Sequence, residues 1–150
     1  MKNKGFSMIE VIVVLALLAL VFGVSVIYYR DSLARTDLNS QGELVSNSLR
    51  LLRSNAASGN VEEPNAMRLE ELEYIKFFGD VYNPESPDNI HTELPGQVKI
   101  DNINLNGGGR EIIFQSPHGN TDNFGSFDIK AEQIDRTITI NINRIGTIDF

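Results

Sequence analysis

The 150-residue chain contains no cysteine. That excludes a disulfide framework, a thiolate metal site and a cysteine nucleophile. It says nothing about compartment, because a cysteine-free protein folds in either redox setting. Histidine is nearly absent: His91 and His118 stand alone, each in a stretch rich in Gly, Pro, Asp and Asn that reads as a polar loop. A Ser116–His118 pair is too close in sequence for the two side chains to face each other with an orienting acid. No catalytic residues are expected, and the chain does not read as an enzyme. Positive charge is also in short supply. The net charge is −7; Lys2, Lys4 and Arg30 outweigh Glu10 by two, so residues 31–150 carry −9. Such a surface repels a phosphate backbone, and no nucleic-acid partner is expected unless Arg110, Lys130, Arg136 and Arg144 converge. Proline is scarce, with five residues and none before Pro64.

Metal ligands are thin as well. "NINLNGGGREII" sets Asn102, Asn104, Asn106 and Gly107 at positions like those of an EF-hand. The first ligand is Asn rather than Asp, and Ile113 stands where the bidentate Glu belongs. A strand with a wet face entering a turn explains the stretch better. Asp80, Glu85 and Asp88 are of the ligand type that clips a loop with Ca²⁺, against the plainer reading of a solvated loop. No metal or cofactor is expected, and no glycine-rich loop reads as a phosphate cradle.

What the chain has in abundance is one apolar run, Phe6–Tyr29, with Glu10 near its start. Three readings compete for it. A secretory signal peptide has a basic start, a core of roughly 7–15 apolar residues and a small-x-small cleavage site. Lys2 and Lys4 fit, but the run is too long and "YYRDSLART" offers no such site. A membrane anchor needs about 20 apolar residues as a helix, which this run supplies. The lysines then favour a cytoplasmic N-terminus, and Tyr28 and Tyr29 suit the far interface. That reading leaves Glu10 unexplained.

The third reading accounts for Glu10. "KGFSMIEVIVVLALL" resembles the processing site of type IV prepilins and type II secretion pseudopilins. The resemblance implies cleavage after Gly5 by a prepilin peptidase, N-methylation of Phe6, and a Glu at the fifth position of the mature chain, which is Glu10. It further implies that Glu10 meets the Phe6 amine of a neighbouring subunit during assembly. Opposite charges paired in a low-dielectric setting cost less than a lone carboxylate. The alternative for Glu10 is a carboxylate that snorkels to the cytoplasmic interface.

Beyond Tyr29 the helix is expected to continue to about Ser58, with Gly59 as the residue that ends it. Leu38, Val45, Leu49, Leu52 and Ala56 fall on one helical face and form the candidate core stripe. From Pro64 the signals are β. "EYIKFF", "QVKIDNINL", "REIIF", "SFDIKA", "TITINI" and "TIDF" read as short strands. The apolar residues of "QVKIDNINL" change parity, which predicts a bulge near Asp101–Asn102. Ile138, Ile140 and Ile142 share one strand face. "GDVYNPESPDNIHTELPG" reads as a long loop. The expected fold is α+β and pilin-like: a long N-terminal helix packed on an antiparallel β-sheet domain.

The C-terminal half, through Leu94–Gly96, Phe114–Gly119 and Ile138–Ile148, is similar to H-type minor pseudopilins and related minor pilins. The expected organisation is a leader at 1–5, a transmembrane and assembly helix at 6–29 and a pilin-like domain at 30–150. That domain comprises the rest of the helix (30–58) and a β-rich part (65–150). The resemblance implies a structural subunit of a pilus or secretion pseudopilus. It would sit first in the cytoplasmic membrane as a single-pass protein with its N-terminus inside, then in the filament. Its partners would be the prepilin peptidase, the membrane and other pilins. Two alternatives remain: a binding module at a pilus tip, for adhesion or DNA capture, and a single-pass anchor for an unrelated extracellular domain.

Overall fold

The computed structural model describes residues 7–59 and 62–150, without the side chains of 24–28. Gly5 and Phe6, the expected processing residues, lie outside the described residues. The chain divides into two compact units, one ending at Leu33 and the other comprising Ala34–Phe150. Helix α1 is assigned continuously over Met8–Ser58, in line with the absence of proline before Pro64. Gly59 follows it with φ +70°, and its N–H donates to the Ala56 carbonyl at 3.1 Å. A positive φ of this kind is how helices commonly end.

In the first unit the large side chains from Met8 to Phe22 are exposed. Among the described residues no helix is long and apolar enough to cross a membrane. Of the expected Phe6–Tyr29 run, Phe6 and the side chains of 24–28 are not among them.

The second unit is α+β. Among the described residues, eight strands follow the helix: β1 (Ala66–Leu69), β2 (Glu73–Phe77), β3 (Ile90–Glu93), β4 (Val98–Leu105), β5 (Glu111–Ile113), β6 (Gly125–Ala131), β7 (Arg136–Ile142) and β8 (Ile148–Asp149). They form two four-stranded antiparallel sheets, ordered β3-β2-β1-β5 and β4-β6-β7-β8, where one sheet was expected. The sequence reading missed β1 and β3. Strand β3 lies inside the stretch read as a loop, so His91 belongs to an edge strand and not to a loop. The register of β4 shifts between Asp101 and Asn104, and Asn102 takes φ +48°. This is the bulge that the change of parity predicts.

One core joins the elements. Leu38, Val45, Leu49, Leu52 and Ala56 of α1 are all buried in it. Met67, Leu69, Tyr74 and Ile112 of the first sheet join them, with Phe127, Ile129, Ile140 and Ile142 of the second. Ile138 packs against its margin. Tyr82, in the loop after β2, packs on the other face of the first sheet. There it meets Phe77 edge to face, with ring centres 5.3 Å apart, and takes the Arg68 guanidinium 4.7 Å from its ring centre.

One helix residue is at odds with this core. Ser46 is fully buried, and among the described residues its hydroxyl has no hydrogen-bond partner. An unpaired buried hydroxyl costs about 1–3 kcal/mol, and Ala is the better helix former. Ser46→Ala is therefore expected to stabilise the protein by about 1 kcal/mol or more. Urea unfolding should show a higher midpoint at unchanged slope. A lower midpoint would mean that the hydroxyl has a role in the core.

Candidate assembly site at the head of the helix

The first four N–H groups of any helix lack partners within it. Here Ser7 and Glu10 supply part of what is missing. The Ser7 N–H donates to Glu10 Oε2 at 2.9 Å, and the Ser7 hydroxyl donates to the same oxygen at 3.1 Å. In return the Glu10 N–H donates to Ser7 Oγ at 3.3 Å. The Val11 N–H reaches the Ser7 carbonyl at 3.3 Å and opens the helical ladder. Ser7 is thus the N-cap and Glu10 the third helical residue of a capping box. A carboxylate at this end also interacts favourably with the helix dipole. Among the described residues, Glu10 Oε1 receives no hydrogen bond.

Glu10 is therefore held by a neighbour that the sequence reading passed over. The signal is plain in "SMIE": Ser, then Glu three residues on, directly before an apolar run. Gly5 and Phe6 precede the cap and are not described. Residues 1–26 match the model of the prokaryotic N-terminal methylation motif. The motif supports a type IV pilin-like or pseudopilin-like precursor, membrane-anchored and with an N-terminal helix. It implies processing by a prepilin peptidase and assembly with other pilins. No curated protein and no solved structure matches the chain. The methylation motif ends within the apolar half of α1, so it carries no information about Ala34–Phe150.

Several polar groups of the second unit pair within the fold. Arg68 bridges Glu70 at 2.6 Å and Glu111 at 2.8 Å, and Arg110 reaches Glu70 at 2.8 Å. The Glu70 hydrogen bond raises the pKa of Arg68. Desolvation works to raise that of Glu70, but the two arginines outweigh it and hold the carboxyl below its usual range. Arg68, Glu70 and Glu111 line an open groove of about 820 Å³ together with Tyr82 and His91. His91 Nδ1 lies 3.0 Å from Glu73 Oε2. The four cations weighed as a nucleic-acid patch have separate settings. Arg110 is paired as above, Lys130 lies 3.5 Å from Asp135, and Arg144 stacks over Phe124 at 5.9 Å. Arg136 opens β7, and Arg144 lies beyond its other end. Among the described residues, no three His, Asp or Glu side chains are grouped to hold a metal ion. In the 80–88 loop, Asn83 Oδ1 accepts from the Glu85 N–H and Ser86 Oγ from the Asp88 N–H, so local turns organise it.

Proposed function

We propose that the chain is a structural subunit, a minor pseudopilin or minor pilin, of a type II secretion pseudopilus or type IV pilus, with no catalytic activity. The observation that carries this reading is the methylation motif at residues 1–26. The precursor is a single-pass protein of the cytoplasmic membrane, with Lys2 and Lys4 on the cytoplasmic side and the domain that follows Tyr29 outside. The peptidase cuts after Gly5, Phe6 is methylated, and the subunit enters the filament through its N-terminal helix. Glu10 brings the charge that meets the Phe6 amine of a neighbour. A lone anchor would use Glu10 only as a helix cap, whereas a filament subunit also uses its charge in assembly.

The capping box adds a second duty to Glu10, and two substitutions separate the duties. Glu10→Gln keeps a side chain that caps at this position and removes the charge. Glu10→Ala removes both. If the charge guides assembly, both variants should be cleaved normally and both should be depleted from sheared filaments. Incorporation of Glu10→Gln at the native level would overturn the role of the charge and leave Glu10 as a cap alone.

A further inference from the structure

We propose that Ser7 is a positioning residue for Glu10 in filament assembly, an inference that rests on the function proposed above. The geometry is specific to one oxygen. Ser7 N–H and Ser7 Oγ both donate to Oε2, at 2.9 and 3.1 Å. Among the described residues Oε1 is left to accept from elsewhere. The arrangement fixes the carboxylate over the helix terminus instead of letting it sweep its rotamers. It turns one oxygen inward to the cap and leaves the other for a cationic amine of a second copy of this chain. Fixing a charged group before contact lowers the entropy lost on association.

The same bonds are compatible with processing. The peptide bond cut is Gly5–Phe6, while the Ser7 N–H belongs to the Phe6–Ser7 peptide. Cleavage therefore removes no atom of the box. The carboxylate is in place before the cut and still in place when the new ammonium appears one residue ahead of Ser7.

Capping and positioning make different demands on residue 7. A cap needs only an acceptor for the Glu10 N–H, and Asp serves that purpose as well as Ser. Positioning needs a hydroxyl proton for Oε2, which Ser and Thr carry and an ionised Asp does not. Asp would also set a second negative charge beside Glu10. The test expresses Ser7→Ala, Ser7→Thr and Ser7→Asp in full-length chains beside the native filament subunits. Copies in sheared filaments are counted relative to processed protein. Ser7→Thr should incorporate like the native chain. Ser7→Ala and Ser7→Asp should fall about tenfold, the factor carried by one hydrogen bond to a charged group. Native-level incorporation of Ser7→Asp would show that capping suffices and would overturn the proposal. The contrast of Thr with Asp decides even where Ser7→Ala is poorly processed. Absence of the native chain itself from filaments would overturn the functional reading instead.

Discussion

Expressed with its cognate prepilin peptidase, the protein is expected to lose Met1–Gly5 and to gain one methyl group on the new amine of Phe6. Intact-mass measurement reads both changes at once. The expectation comes from the order Lys-Gly-Phe-Ser-Met-Ile-Glu before an apolar run, and from the motif matched at residues 1–26. The cut is expected to depend on Gly5, because a scissile bond gripped in an enzyme cleft leaves little room beside it. Gly5→Val should abolish cleavage, an all-or-none effect, and the uncut precursor should stay in the membrane. A native protein that still begins at Met1 in the presence of active peptidase would remove the prepilin reading altogether.

The second large effect is expected in the turn between β7 and β8. Gly146 has φ +79°, which side chains of L residues rarely adopt. A Cβ there would run into the Gly119 carbonyl oxygen and stand 2.9 Å from Arg53 Nε. Backbone strain of about 1–3 kcal/mol adds to crowding of about 1–3 kcal/mol, so Gly146→Ala should cost about 2–6 kcal/mol. Gly96→Ala is the control, since no atom lies within 4 Å of the Cβ it would add and its φ lies outside the strained range. Urea midpoints should fall steeply for the first and barely move for the second. Equal midpoints would mean that the turn relaxes freely and does not clamp the helix.

The core stripe of α1 was legible because helical periodicity is a long-range signal. Five apolar residues spread over Leu38–Ala56 recur on one face, and all five are buried. The bulge in β4 was legible for a similar reason, since a change of parity leaves few alternatives. Strands β1 and β3 were not. Strand β1 has only four residues, "AMRL", and Arg68 breaks its apolar character. Strand β3, "IHTE", is an edge strand with mostly exposed side chains, set among Pro, Asp and Asn. Its partner β2 holds it, Ile75 opposite His91 and Tyr74 opposite Thr92. A strand held by its neighbour's backbone carries little side-chain pattern of its own. At the head of the helix the opposite happened. Glu10 is conspicuous as a charge in an apolar run, and the equally local Ser-x-x-Glu spacing is a quieter signal beside it.

The contacts of the last residues bear on when the second unit can become complete as the chain is made. Gly146 sits against Gly119 and Arg53, the Thr121 N–H donates to the Arg144 carbonyl, and Arg50 donates to the Ile148 carbonyl at 3.2 Å. The helix emerges from the ribosome early, but Arg50 and Arg53 wait for partners far downstream, at Ile148 and Gly146. Closure of the domain therefore waits for residues 144–148, and until they arrive the buried helix face stays open to chaperones and proteases. A stop codon in place of Asn141 would discard the clamp, leaving an anchored helix with an unfinished domain.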